Sequence, residues 1–290
     1  MVLVLLIIFI LLAIIFGYFL LKDILANKNN LGSGNWIISI IIGFITDFLD
    51  TLGIGSFAPT TMLLNFTKQL NQDRLLPGTL NVAHSIPVLL EAILLIQVVK
   101  VSPVTLFSLI IAAILGSWVG SYTVAKLPEK FVQFWMGWAL IATAVLMACK
   151  QLGLLDMLGT GNTATSLVGV KLVIGIIGNF IFGGLMTIGV GLYAPCMAMV
   201  YMLGLNPLVA FPVMMGSCAG LMPVASINFI KAGTYSRKVS LGITIGGIVG
   251  IIIAVNFLKG LNIDILSWII VVVIIYTGFT YIQKSRKLTA

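Results

Sequence analysis

The chain has 290 residues, of which 60% are hydrophobic and only 8% are charged. A soluble domain carries about a quarter charged residues, so this composition excludes a soluble protein and indicates an integral membrane protein. The formal net charge of +8 could suggest a nucleic-acid partner. The basic residues, however, lie mostly in short segments between apolar runs and form no patch with aromatic residues, so we expect no nucleic-acid binding.

Apolar runs of spanning length follow one another along the chain, which predicts an all-α membrane protein with about nine transmembrane helices. Each run needs about 20 residues to cross the hydrocarbon, and the alternating pattern of a barrel is missing. The first run lacks both a positive start and a cleavage site, so we interpret residues 1–25 as a retained transmembrane helix. The runs lie at 2–21, 36–66, 77–99, 103–125, 131–149, 168–203, 207–230, 239–258 and 264–282.

Two of these runs are too long for one crossing and share the same interruption. Residues 36–66 would form a helix of about 46 Å, whereas the hydrocarbon core is about 30 Å thick. The stretch GIGSFAP at 53–59 matches GVGLYAP at 189–195, an offset of 136 residues, and the span order also matches. We interpret this match as an internal duplication, with one four-span repeat at 36–150 and a second at 168–283. Four crossings per unit predict parallel repeats.

The loop charges predict the orientation of the chain in the plasma membrane. If the chain crosses at every run, the positive-inside rule places the N-terminus outside and the C-terminus in the cytoplasm. The predicted inside cations are Lys22, Lys28, Lys100, Lys150, Lys171, Lys231, Arg237, Lys238, Lys284, Arg286 and Lys287. The predicted outside cations are Lys68, Arg74, Lys126, Lys130 and Lys259.

The paired breaks predict a substrate site. Glycine tolerates strained backbone and proline removes a hydrogen-bond donor, so each long run should divide into two half-helices. The N-terminus of a half-helix offers free N–H groups to an anion, although a break can also serve packing alone. Polar residues near the breaks could bind the anion or join helices. The candidate substrate-binding residues are Gly53, Gly55, Pro59, Asn81, Thr187, Gly189, Gly191, Pro195 and Ser217.

Four ionisable residues lie inside the predicted spans: Asp47, Asp50, His84 and Glu91. A charge at mid-bilayer costs at least about 2.5–3.5 kcal/mol on insertion scales, so such residues are usually functional. Their equivalents in the second repeat are all neutral. Our hypothesis is that some of the four bind a coupling proton or cation. The alternative is a neutralised pair, such as His84 with a carboxylate, that only holds two spans together.

The sequence offers little for an enzyme, and we expect neither catalysis, a cofactor nor a bound metal. It contains no HExxH, no Cys/His cluster and no Walker loop. The cysteines at 149, 196 and 218 have no disulfide or CxxC spacing, so packing is their expected role. Small residues at 116 and 120, and at 246, 247 and 250, indicate close helix contacts.

The stretch from Gly183 to Pro223, GGLMTIGVGLYAPCMAMVYMLGLNPLVAFPVMMGSCAGLMP, resembles the TauE/SafE family of sulfite exporters. The features that carry the resemblance are the glycine-rich run and proline, the Leu-Gly-Leu turn at 203–205, the small-residue segment that follows, and the basic stretch INFIKAGTYSRK. The resemblance covers about residues 36–282. The first repeat departs from the pattern, since its turn region TKQLNQDRLLPG is polar and has no Leu-Gly-Leu turn. Its two acids, Asp47 and Asp50, are not carried over from the family.

The resemblance implies a membrane transporter of small anions such as sulfite, other organosulfur compounds or carboxylates. The partners that we expect are the anionic substrate, a coupling proton or cation, the lipid bilayer and a second copy in a homodimer. Two alternatives remain open at this point. The first is a cation or metal carrier that uses Asp47, Asp50, His84 and Glu91 as ligands, and the second is a non-transporting membrane accessory protein.

Overall fold

The computed structural model of the chain describes residues 2–95, 101–257 and 264–287. Lys100 and Lys259, two of the predicted loop cations, lie outside these residues. The described residues form α-helices and no strand, which confirms the predicted fold class. The helices are α1 Val2–Ala26, α2 Trp36–Thr51, α3 Phe57–Phe66, α4 Leu76–Leu95, α5 Pro103–Val124, α6 Glu129–Gln151, α7 Leu154–Leu158, α8 Gly169–Met186, α9 Tyr193–Met202, α10 Pro207–Ala232, α11 Arg237–Phe257 and α12 Asp264–Lys287, with a 3-10 helix at Asp73–Leu75.

Seven helices among the described residues are long and apolar enough to cross a membrane. They include α1, α4, α5, α6, α8 and most of α10 and α11. Many large apolar side chains on these helices are exposed, as expected for surfaces that face lipid. The chain is therefore a multi-pass membrane protein, although the predicted count of nine spans is not confirmed.

Both predicted breaks are present, and the helix ends that begin them share the same backbone hydrogen bonds. Helix α2 ends in a Schellman motif, in which the Gly53 N–H donates to the Asp50 carbonyl and the Ile54 N–H donates to the Leu49 carbonyl. The end of α8 repeats these two bonds at an offset of 136 residues, from residues 189 and 190 to residues 186 and 185. Gly53 and Gly189 have φ of 83° and 113°, the left-handed region that favours glycine.

The first broken run does not cross the membrane, because its two ends meet. The backbone N–H of Asn35, which caps the start of α2, donates to the Gln69 side chain just after α3 at 2.7 Å. A Cβ on Gly34 would lie 3.3 Å from the carbonyl oxygen of Gln69. Helices α2 and α3 are thus the two arms of a re-entrant hairpin, which enters and leaves at the same face of the helical bundle.

The second broken run is also a hairpin. Ala164, before α8, forms an isolated bridge with Leu205, after α9, and its carbonyl oxygen accepts from the Asn206 N–H at 2.8 Å. Helix α8 satisfies the length criterion for a span, but α9 returns the chain to the face where α8 begins. The two hairpins therefore replace two of the predicted crossings.

One face of the bundle, which we call the Arg237 face, is held by ionic contacts among helix ends. Arg237 at the start of α11 binds Asp23 near the end of α1, at 2.6 Å. Lys284 near the end of α12 lies 3.1 Å from Asp73, whose N–H in turn donates to Glu129 at the start of α6. Both ends of the α2–α3 hairpin lie at this face too, since Lys284 also donates to Asn65.

Tyr235 strengthens the link between α1 and the α10–α11 loop at the Arg237 face. Its hydroxyl donates to Asp23 at 2.6 Å. Burial, and next the hydrogen bond to the Asp23 carboxylate, raise the pKa of Tyr235 well above its usual range. The phenol therefore stays protonated and remains a donor.

The opposite face, which we call the Thr165 face, carries the other helix ends. The Ser102 N–H before α5 donates to the Thr165 carbonyl at 3.0 Å. Asn162 donates to the carbonyl of Tyr201 near the end of α9 at 2.8 Å. Within the described residues, the helices that pass between the two faces are α1, α4, α5, α6, α10, α11 and α12.

The two predicted units are related by inversion and do not lie parallel. Helices α4 and α10 correspond at the 136-residue offset, yet they run antiparallel: Gly78 lies against Phe229, and further along α4 Ser85 bonds Ser226 at 2.9 Å. Each unit has three crossings and one hairpin, so its ends lie on opposite faces. The parallel relation of four-span units was predicted because each broken run was counted as a crossing.

The helix contacts of one unit are repeated by the equivalent helices of the other unit. Helix α2 packs on α11 of the other unit, as α8 packs on α5, and α6 packs on its own equivalent, α12. At both hairpins the contact is made by glycine: a Cβ on Gly116 would lie 1.9 Å from the Phe180 carbonyl, and one on Gly250 would lie 2.4 Å from the Phe44 carbonyl. The small residues on α5 and α11 therefore let helix backbones touch, as their spacing predicted.

The hairpins also correct the predicted distribution of loop charge. Four cations were predicted on the opposite side of the membrane from Arg237. The structure places them at the Arg237 face: Lys68, Arg74, Lys126 and Lys130. Lys150 and Lys171 lie toward the Thr165 face, since they belong to the end of α6 and the start of α8. The excess of positive charge on the Arg237 face is therefore larger than the sequence alone indicated.

Candidate functional site

A cavity of about 310 Å³ lies between the tips of the two hairpins. Residues 50–58 at the first break and 191–194 at the second line it from two sides. The remaining lining residues come from α4, α6, α8, α9 and α10 and are Val88, Glu91, Thr143, Leu146, Met147, Lys150, Met186, Met197, Met214, Cys218 and Met222. A cavity therefore lies between the two breaks, where the sequence predicts a substrate site.

The N-termini of α3 and α9 both contribute to this cavity. Their N-cap residues, Ser56 and Leu192, make no side-chain capping bond. The third helical position is proline in each, so the first N–H with a carbonyl partner in its own helix belongs to Thr60 in α3 and to Cys196 in α9. The N–H groups of Phe57 and Ala58 and those of Tyr193 and Ala194 precede these positions. All four residues line the cavity, so the positive ends of two helix dipoles lie at it, which favours negative charge.

Two carboxyl groups and one amine line the cavity, and each has a different environment. Asp50 accepts from the Ser56 hydroxyl at 2.7 Å, across the break between α2 and α3. Lys150 Nζ, on the last turn of α6, donates to the Gly53 carbonyl at 2.6 Å. Glu91 is only 2% exposed, and its Oε2 has no hydrogen-bond partner. The hydroxyl of Tyr193 in the lining is also unpartnered.

Asp47 and His84 form a buried pair behind the cavity. His84 Nδ1 lies 2.8 Å from Asp47 Oδ1, and His84 Nε2 lies 3.0 Å from the Thr60 hydroxyl, so the pair joins α2, α3 and α4. Both side chains are fully buried. The other oxygen of Asp47 has no partner and packs on Gly247 of α11, where a Cβ would lie 2.2 Å away. This pair matches the alternative in which His84 neutralises a carboxylate and holds spans together.

Removing the histidine of this pair should strongly destabilise the protein. The His84→Ala substitution leaves the Asp47 carboxylate buried without its partner, which typically costs about 3–5 kcal/mol. Asp47→Asn should cost much less, because the asparagine oxygen can still accept from His84. Thermal unfolding in detergent measures both effects. An unfolding temperature of the His84→Ala protein equal to that of the wild type would contradict a stabilising role.

The other predicted site residues are divided between the lining and the helix contacts around it. Gly53, Gly55, Gly191, Asp50 and Glu91 line the cavity. Pro59 and Pro195 lie in the first turns of α3 and α9, and Gly189 packs against Met136. Asn81 donates to the Pro77 carbonyl, Asn179 donates to Ser217, and Thr187 donates to the Gly184 carbonyl. These last groups join or brace helices and lie outside the lining.

Sequence reasoning missed several lining residues. Lys150 was interpreted as a loop cation because it follows an apolar run, but its amine returns to the first break. Tyr193 sits inside the repeated motif, where it aligns with Phe57, and the motif gave no sign of an unpaired hydroxyl. The lining methionines come from four different helices, so no local spacing could have grouped them.

Comparison with known proteins gives one family. A family model described as "Sulfite exporter TauE/SafE" matches residues 1–147 and again residues 79–281. The two matches together cover nearly all of the chain. Searches of curated proteins and of solved structures found no match.

Proposed function

Because this chain belongs to the TauE/SafE sulfite exporter family, we propose that it is a secondary transporter that moves a small anion across the plasma membrane. The observation that carries the proposal is the pair of half-helix N-termini at one cavity, neither of which has a capping bond from its own N-cap side chain. Discontinuous helices with their N-termini at an anionic group are a recurrent solution in transporters with inverted repeats. Sulfite, sulfonates, other organosulfur compounds and carboxylates are candidate substrates.

The acids in the lining support coupling to a proton or another cation. Asp50 and Glu91 would repel an anion if both were ionised, since charges attract or repel strongly in a low-dielectric site. Glu91 has an oxygen free to take a proton, whereas Asp50 is engaged by Ser56. We therefore assign the coupling site to Glu91, with Asp50 beside it. Asp47 and His84 then hold the first hairpin in place.

The orientation follows from the positive-inside rule applied to the observed faces. The cations at the Arg237 face are Lys22, Lys28, Lys68, Arg74, Lys126, Lys130, Lys231, Arg237, Lys238, Lys284, Arg286 and Lys287. That face is accordingly cytoplasmic in our proposal, with the C-terminus inside and the N-terminus outside. We infer that the cavity opens toward the outside, because Lys150 in its lining lies near the end of α6 at the Thr165 face.

Filling the cavity is the direct test of this function. Gly191 lines the cavity, and a Cβ there would meet no atom within 4 Å, so Gly191→Leu should fold normally. We expect it to reduce anion flux in proteoliposomes by about tenfold or more, because the added side chain occupies the space of the ligand.

The matched control is Gly17→Leu on α1, where a Cβ also meets nothing within 4 Å. Its flux should equal that of the wild type. Wild-type protein that moves no anion from a panel of sulfite, sulfonates, thiosulfate and carboxylates would refute the proposal. Uptake of divalent cations that Asp47→Asn abolishes would instead support the cation carrier.

A further inference from the structure

The cavity is much larger than an inorganic oxyanion such as sulfite. Its volume of about 310 Å³ is at the lower end of the range of about 300–1,000 Å³ for sites that bind organic ligands. Sulfite has only four heavy atoms. One water occupies about 30 Å³ in the liquid, so a bound sulfite would leave most of the cavity to be filled by water.

Most of the cavity wall is apolar, and methionine is its most frequent residue type. Met147, Met186, Met197, Met214 and Met222 line the space, together with apolar residues of the first break. Methionine side chains are flexible and polarisable, so they adapt to irregular apolar ligands. Water in such a space gains few hydrogen bonds, and an apolar group that displaces it is favoured.

The groups that favour negative charge are confined to the hairpin tips. Lys150 uses one donor on the Gly53 carbonyl, and its ammonium group has two further donors for a ligand. The uncapped N–H groups of α3 and α9 lie at the same tips. The cavity is therefore amphipathic, with a polar end at the two breaks, where Lys150 and the N-termini of α3 and α9 lie beside Asp50, and a mainly apolar body that includes five methionines.

We propose that the substrate is an organic anion with a single charged head and an apolar body of several carbon atoms, with the head on Lys150 and the hairpin tips and the body against the methionines. This proposal rests on the proposed anion transport and specifies its substrate class. The head is a sulfonate or a carboxylate, since both offer oxygen acceptors to these donors.

A chain-length series measures the contribution of the body. Binding of methane-, propane- and hexanesulfonate, and of carboxylates of the same lengths, is compared with sulfite by calorimetry on the purified protein. Each added methylene should tighten binding about fourfold until the cavity is filled, and sulfite should bind most weakly. The stronger of the two series identifies the head. Equal affinity at all lengths, or sulfite as the tightest ligand, would overturn the proposal.

Two substitutions separate the head from the body. Lys150→Gln should weaken all lengths by a similar factor of about ten or more, because it removes a charged hydrogen bond to the head. Met197→Gln should flatten the dependence on length, while Met202→Gln on the same helix, which is 73% exposed, should change nothing. A steep length dependence in Met197→Gln would argue against the assigned body site.

The outcomes also distinguish this proposal from the proposed transport function on which it rests. Sulfite flux without length dependence would leave anion transport standing and refute only the organic substrate. No binding and no flux with any anion would refute both.

Discussion

Replacing Glu91 by glutamine is expected to abolish proton-driven accumulation of the anion while leaving its downhill exchange intact. Glutamine has nearly the same shape as glutamate but cannot take up and release a proton. Glu91 lines the cavity, is almost fully buried and has an unpartnered oxygen, so it is the group that can exchange a proton with the ligand space. A proton that travels with a monovalent anion should support about tenfold accumulation per unit of pH difference.

The measurement uses proteoliposomes with an imposed pH gradient and a labelled anion. The wild type should concentrate the anion, and Glu91→Gln should only equilibrate it. Glu129→Gln is a suitable control, because Glu129 lies at the Arg237 face and its glutamine retains the acceptor for the Asp73 N–H. Undiminished accumulation by Glu91→Gln would show that Glu91 is not the coupling group, and Asp50 would then be the candidate.

The local structure of the breaks could be predicted because it depends on neighbouring residues. The glycines at 53 and 189 supply the left-handed backbone that ends a helix, and Pro59 and Pro195 sit at the start of the next one. These are properties of a few residues in sequence, so the repeated motif was sufficient to identify them. The all-α fold followed in the same way from the length and composition of the apolar runs.

The direction of the chain after each break could not be predicted from the same residues. A break in a crossing helix and the tip of a hairpin require similar glycines, and what distinguishes them is a long-range contact such as that between Asn35 and Gln69. One signal was present in the loop charges. If the first run is a hairpin, Lys68 and Arg74 join the other cations at the Arg237 face, and the positive-inside bias becomes stronger.

The candidate site was predictable only in part, for a related reason. Asp50, Glu91 and the break glycines were identified because acids and glycines are unusual inside apolar runs. Lys150 was not, because a lysine at the end of a span is ordinary, and only the tertiary structure brings its amine to Gly53. The roles of Asp47 and His84 also needed the structure, since their pairing depends on the packing of α2 against α4.

Replacing Gly116 by leucine is expected to prevent folding of the second hairpin into the bundle. A Cβ at this position would lie 1.9 Å from the Phe180 carbonyl of α8, and backbone cannot yield as a flexible side chain does. Overpacking of an interior typically costs about 1–3 kcal/mol, and a collision between two helix backbones should exceed that range. Gly250→Leu tests the contact of the first hairpin with α11, where a Cβ would lie 2.4 Å from the Phe44 carbonyl of α2.

Thermal unfolding and size-exclusion profiles in detergent measure the effect. Both variants should show a large fall in unfolding temperature or no folded peak, whereas Gly17→Leu should behave as the wild type. If the units are related by inversion, the two losses should be similar, because each separates one hairpin arm from the crossing helix of the other unit. A normal profile for Gly116→Leu would show that α8 does not pack on α5 at this distance. The contact with α5 could then no longer explain why the second break lies at the cavity.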